Sequence, residues 1–364
     1  MAVKKRKVKP LGILIILFLL ASVFLILAGG SVIYLGSPVD KNDKETIEVE
    51  IKSGTSSTNI GKLLKEKDLI KSDLYFKLYL KLHDVNDLKA TTYQFNKSMS
   101  TAEIISSLQK GNSYNPNELS ITIQEGLNMR QIANIISSKT NNSYDDVIAK
   151  SNDETYIRSL MDKYWFITED VFNSNIYYKL EGYIYPDTYT LASSDVDVEY
   201  IFNKMVAEMA KHLEPYKNYD YSSMSIHQRI TLASMVEKES SVSTDRSKMA
   251  SVFVNRIKKG WSLGSDVTAK YAIKLDEKRA LTVAEFATKS PYNTRLTDGS
   301  MNGKLPVGPI STVNKSSIDA AFNPDSTPYM YFISNIKTRE TFFFEYEADF
   351  IKKDRELAKI NGDY

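Results

Sequence analysis

From Pro10 to Val39 the chain carries no charged residue, and Leu11 to Leu35 is almost wholly apolar. As a helix those residues would reach about 37 Å, enough to cross a hydrocarbon core of roughly 30 Å. A secretory signal has an apolar core of only about 7–15 residues. Ala28-Gly29-Gly30-Ser31 is a weak cleavage candidate, so a cleaved signal is the alternative to a permanent anchor. Lys4, Lys5, Arg6, Lys7 and Lys9 precede the run, which places the N-terminus in the cytoplasm and everything after Gly36 outside.

The body of the chain must then work outside the membrane. Subtracting those five cations from the net charge of +2 leaves −3, with no basic stripe, which argues against nucleic acid as the main partner. No cysteine is present, so disulfides, thiol nucleophiles and thiolate metal sites are all excluded. His83, His212 and His227 are the only histidines, and none stands at a ligand spacing from another. No metal or cofactor is expected.

Along the outer part, Thr46 to Lys52 alternates as a half-buried strand does, Gly54 opens a turn, and Ile60, Leu63 and Leu64 mark a helix face. Leu74 to Leu82 reads as a second helix, Thr91 to Phe95 as a strand, and Ile104, Ile105 and Leu108 line a third helix. The pattern echoes itself 72 residues on: Ile47, Val49, Ile51, Gly54, Ile60, Leu63 and Leu64 match Leu119, Ile121, Ile123, Gly126, Ile132, Ile135 and Ile136. Tyr114 to Asn117 reads as a boundary. The chain is strongly helical from about Val198, and Tyr329–Ile333 and Thr341–Phe344 read as strands. Unalternated helices and strands predict an α+β fold. The expected parts are a cytoplasmic tail (1–9), a transmembrane helix (10–36), a linker (37–45), a first module (46–115) and a main domain (116–364).

The chemistry concentrates in Ile226 to Arg256. Ile226, Ile230, Ala233 and Val236 recur at helical spacing, with no Gly or Pro between. At 100° per residue, Glu239 falls among Leu232, Met235 and Val236, while Lys238 points to the polar side. A carboxyl on an apolar face is partly desolvated, which raises its pKa into the range of a general acid. Glu237 is the rival, nearer the edge of the apolar arc and able to pair with Lys238, Arg246 or solvent. Ser243 or Thr244 is expected to cap the next helix, with Asp245 in its first turn, Met249, Val252, Phe253 and Ile257 on its buried face, and Gly260 at its end. Ser241 and Ser265 lack the Gly-x-Ser-x-Gly elbow of a serine hydrolase. Pyridoxal chemistry suits neither the location nor any motif.

Leu232-Ala-Ser-Met-Val-Glu-Lys-Glu-Ser240, followed by Lys248-Met-Ala-Ser-Val-Phe-Val-Asn-Arg256, resembles the signature of the endolytic murein transglycosylases (MltG, YceG-like). The likeness continues through Leu263-Gly-Ser-Asp-Val-Thr268, Tyr271, Ser290-Pro-Tyr-Asn-Thr294, Leu305-Pro-Val-Gly-Pro-Ile310, Ser317-Ile-Asp-Ala-Ala-Phe-Asn-Pro324 and Tyr329-Met-Tyr-Phe332. Upstream, Gln124-Glu-Gly126 and Glu181-Gly-Tyr-Ile-Tyr-Pro-Asp-Thr-Tyr189 also fit. The resemblance implies that Glu239 is catalytic, that the first module is LysM-like, and that the reaction cuts the β-1,4 bond between N-acetylmuramic acid and N-acetylglucosamine, leaving a 1,6-anhydro end. It implies glycan strands as substrate, a bilayer as support and penicillin-binding synthases as partners. Ser265, Asp266, Thr268, Tyr292 and Asn293 are candidates for orienting the sugars, with Trp261 or Tyr271 as a stacking platform; a turn or capping role is the alternative for the polar ones. Gly264, Val267, Val307, Val313, Asn314 and Glu340 depart from the family pattern, around the expected groove. A catalytically silent glycan-binding scaffold and a hydrolase leaving reducing ends are the rival functions.

Overall fold

A computed structural model describes residues 30–111, 118–240, 245–276, 279–335 and 337–361. The expected anchor and the proposed caps Ser243 and Thr244 fall largely or wholly outside these residues, as does the boundary at Tyr114–Asn117. Among the described residues no helix is long and apolar enough to cross a membrane. The chain divides into two compact units, Met1–Glu118 and Leu119–Tyr364.

In the first unit, β1 (Ile47–Glu50) leads through a turn into α1 (Ser57–Glu66) and α2 (Asp73–Leu82); β2 (Thr92–Phe95) then returns antiparallel to β1, and α3 (Thr101–Lys110) follows. Each helix starts where a serine side chain accepts the backbone N–H three residues on: Ser56, Ser72 and Ser100. Val49, Ile51, Ile60, Leu64, Phe76, Tyr93 and Phe95 close the core.

The second unit opens with the same motif. β3 (Leu119–Thr122) leads into α4 (Met129–Lys139), α5 (Tyr144–Asn152) and α6 (Glu154–Met161), and β4 (Thr188–Leu191) pairs antiparallel with β3. The 72-residue echo holds element by element. Strand starts Ile47 and Leu119, caps Ser56 and Asn128, and helix starts Ser57 and Met129 are each 72 apart. Gly54 and Gly126 both take the left-handed conformation, at φ of +82° and +72°. Val49, Ile51, Ile60 and Leu64 are buried, and so are Ile121, Ile123, Ile132 and Ile136. The closing strands match too, for Tyr93 stands opposite Val49 and Tyr189 opposite Ile121.

Beyond this motif come α7 (Val198–Leu213), α8 (Ile226–Glu239), α9 (Arg246–Lys259), α10 (Asp266–Ala272), the short α11 (Val283–Phe286), α12 (Lys315–Phe322), the hairpin of β5 (Tyr331–Ser334) and β6 (Thr341–Phe344), and α13 (Glu347–Asn361). Helices and small antiparallel sheets follow without alternation, as an α+β fold does. The core runs through α8, which packs against α9, α10 and α12.

Two expectations need correcting. α8 is not amphipathic, because it is buried on nearly all sides from Ile226 to Glu237. Most of its buried polar groups are paired internally: Thr231 and Ser234 donate to carbonyls of the preceding turn, and Arg229 donates through Nη1 to the Ala321 carbonyl. His227 accepts the Tyr183 hydroxyl at Nδ1 and donates from Nε2 to the Val307 carbonyl. Asp245, expected inside the first turn of α9, stands at its N-cap and makes no side-chain capping bond.

Candidate active site

α8 ends at Glu239, with Ser240 in an extended conformation after it. Its last turn carries two carboxylates that face different surroundings. Glu237 turns inward. It accepts a bond from Arg246 Nη2 at 2.9 Å and another from the Asn314 backbone N–H at 3.1 Å. Arg246, itself buried, also donates to Asn314 Oδ1 and Ser316 Oγ. This network ties α8 to α9 and to the start of α12.

Glu239 is half-buried and takes a different partner. Ser265 Oγ donates to its Oε1 at 2.6 Å. Burial pushes its carboxyl above the ordinary range; the Ser265 bond opposes this, the nearby Asp266 charge adds to it, and the Arg295 and Lys270 charges oppose it. Among the described residues no cation forms an ion pair with Glu239. Arg295 instead holds Asp266, at 2.6 Å.

The segment that presents Ser265 is fixed from below. The Ser265 N–H donates to Thr294 Oγ1, Thr268 Oγ1 donates to the Ser265 carbonyl, and the Thr294 N–H donates to Thr268 Oγ1. Asn293 donates through Nδ2 to the Phe286 and Thr288 carbonyls. Tyr292 is fully buried, its hydroxyl accepting the Tyr177 N–H. Thr268, Tyr292 and Asn293 therefore build the floor that holds Ser265, with their polar atoms bonded inside the protein.

Tyr271 is also buried: its ring packs against Tyr177 and Tyr292, and its hydroxyl donates to Glu181 at 2.9 Å. Trp261 is exposed and lies beside Tyr331. With Arg256, Ser262 and Arg295 these two line a cavity of about 450 Å³. A second cavity, of about 480 Å³, is lined by Glu125, Asn128, Lys238, Lys270 and Asp276 among others. Arg295, from the first, pairs with Asp266 beside Ser265, and Val267 and Lys238, from the second, are chain neighbours of Asp266 and Glu239.

Sequence reasoning passed over Arg295, Lys270 and the role of Glu181. Glu181 is fully buried and accepts bonds from Tyr271 and the Met129 N–H, clamping α10 to the start of α4; burial raises it to about 7. Its place in an aromatic-rich block was visible, but no local pattern marked it as a clamp. No group of residues among those described could hold a metal ion.

The YceG-like family model matches residues 49–356. A Bacillus subtilis (strain 168) protein named endolytic murein transglycosylase is 38% identical over 315 residues, covering 85% of each chain. One of the same name from Streptococcus pneumoniae serotype 2 (strain D39 / NCTC 7466) is 32% identical over 337 residues, 88% of this chain and 60% of the relative. The crystal structure of a YceG-like protein from Listeria monocytogenes aligns with a TM-score of 0.59 at 34% identity, covering 85% of this chain and 99% of that one.

Proposed function

The chain belongs to the YceG-like family, and from that premise we propose that it is an endolytic murein transglycosylase, with Glu239 as its catalytic acid and base. The observation that carries the reading is a carboxyl at the end of a buried helix, held by a hydroxyl and not by a cation, with its pKa raised. Protonated Glu239 gives its proton to the departing glycosidic oxygen of N-acetylglucosamine. As that bond to the anomeric carbon of N-acetylmuramic acid breaks, the same sugar's 6-hydroxyl oxygen bonds to the carbon and its proton passes to the Glu239 carboxylate. The carboxyl is restored, no water is consumed, and the product ends in a 1,6-anhydro ring. Ordinary glycosidases need a second carboxylate for this work. A nucleophile within the substrate, at high effective concentration, removes that need.

The exposed Trp261 beside Tyr331 suits a sugar face, and Arg295 fixes Asp266 at the rim. The strand–helix–helix–strand order of the first unit supports reading it as the LysM-like, glycan-contacting module. The uncharged run of residues 10–36 serves as an uncleaved anchor, with the N-terminus cytoplasmic and both units outside, beside the wall synthases that make the strands.

One observation favours a second reading. Asp266 lies within electrostatic reach of Glu239 and would be the base of a hydrolase. Mass spectrometry of strands digested by the purified chain decides, since the anhydro end is one water lighter than a reducing end. Glu239→Gln should yield neither product while folding normally; unchanged products from that variant would place the catalysis on another residue, and no product from the parent chain would leave a glycan-binding scaffold.

A further inference from the structure

Among the described residues of the first unit, all the exposed large apolar side chains gather in two short stretches. Val32, Ile33 and Tyr34 stand at the end of the uncharged run, and Leu74, Leu78 and Leu82 stand on α2; the six are 46–76% exposed. The three leucines are four residues apart and form one stripe. Phe76 and Leu80, which enter the core, lie on the opposite side of the same helix. α2 thus has two apolar faces, of which the unit's core uses one, and a contiguous apolar face left in water marks an interaction surface.

The borders of the stripe indicate what covers it. Lys77 and Lys81 flank one edge, and Tyr75 and Tyr79 flank the other. Asp73, at the first turn, is the only acid on the helix. Lysines and tyrosines bordering a leucine face are the composition of a helix lying in a lipid interface. The start of α2 is also tied to the end of the uncharged run. Lys71 Nζ donates to Ser37 Oγ at 2.8 Å and to the Tyr34 carbonyl at 3.4 Å, and it sits 4.0 Å from the Tyr34 ring centroid. A methyl group on Gly36 would collide with the Tyr75 ring. Whatever surface residues 34–37 emerge from, α2 starts there.

We infer that α2 lies on the outer leaflet of the bilayer, with Leu74, Leu78 and Leu82 among the upper acyl chains and Lys77 and Lys81 at anionic phosphates. The inference rests on residues 10–36 being the membrane anchor. Docked this way, the first unit is held against the lipid by a helix as well as by its tether.

The absence of cysteine makes the test direct. The full chain carrying Leu78→Cys with a nitroxide label is reconstituted into phosphatidylglycerol–phosphatidylcholine vesicles. Lys62→Cys, at an exposed position of α1, is the control. Power-saturation EPR should give more collisions with oxygen than with a water-soluble nickel chelate at position 78, and the reverse at 62. Leu82→Cys repeats the measurement should the first variant fold poorly. A carbonate wash reports separately on the tether: protein released by the wash removes the anchor reading and this inference with it. Protein that stays in the vesicles with position 78 as open to nickel as position 62 overturns the docking alone. Dipolar broadening with protection from both relaxants would show a second copy on the stripe, which also overturns it.

Discussion

Glu237 and Glu239 are the same residue type, two positions apart on one helix, and the fold gives them opposite work. Glu237 is sealed beneath the helix end, where a guanidinium and a backbone N–H neutralise and hold it. Glu239, turned by about 200°, meets a serine hydroxyl and a nearby carboxylate, and no cation among the described residues pairs with it. A charge held by an arginine has no reason to leave, so it serves the architecture. A carboxyl whose ionised form is poorly supported is ready to trade its proton. Neighbours supplied by distant segments assign the two roles.

The sharpest way to break this contrast is Glu239→Gln. General acid–base groups supply about 10²–10⁴-fold, and one that serves both steps should sit at the upper end, so release of anhydro-ended fragments should fall by about 10³-fold or more. Stability should move the other way. The folded-state pKa of Glu239 lies above the ordinary carboxyl value, so its contribution to stability is present below that ordinary value and lost as pH rises through the folded pKa. At neutral pH the ionised form is a burden, and the glutamine variant should melt no lower than the parent. Thermal melts at pH 4.5 and 8 check the sign: the gain should be larger at pH 8.

Glu237→Gln should show the reverse profile. It strands the buried Arg246 guanidinium without its counter-charge, which costs roughly 3–5 kcal/mol. Activity per folded molecule should fall far less than for Glu239→Gln. Denaturant melts measure the loss, and adding Arg246→Met should restore part of it by removing the orphaned charge. If the two glutamine variants instead lost activity equally while both kept full stability, the division of labour would be wrong.

How far this was readable from the chain varied with the range of the contacts. The helix bearing both glutamates and its end came from periodicity within a dozen residues. The repeat of β1–α1 in β3–α4 was legible for the same reason, its offset being constant from Ile47 to Leu64. Its closing strand was not. The second copy inserts 24 more residues before Tyr189 than the first has before Tyr93, and a constant offset cannot find a partner that has shifted. The polar floor under Ser265 was not legible, because Thr268, Tyr292 and Asn293 bond to residues that no helical or strand period brings together. Buried polar residues and binding polar residues look alike until their partners are known. α2 was drawn correctly as a helix, but its exposed leucine stripe was hidden because periodicity reports that a face is apolar and not what faces it.

Ser265→Ala is the finest test of the contrast. The hydroxyl donates to Glu239 and so favours its charged form, opposing the effect of burial. Removing it should raise the carboxyl's pKa further. A hydrogen bond to a charged group is worth about 1.5–3 kcal/mol, and water entering the half-open site would replace part of it, so only part of that energy appears in the rise. Catalysis needs the protonated form first, so kcat/KM falls as pH rises through this pKa, and the alanine variant should keep its proton, and its activity, to higher pH. Below that limb the rate should drop about tenfold or less, from lost orientation of the carboxyl. A pH profile with its alkaline limb unmoved, or moved to lower pH, would mean that the serine is not bonded to the group that titrates, and that the proton donor lies elsewhere.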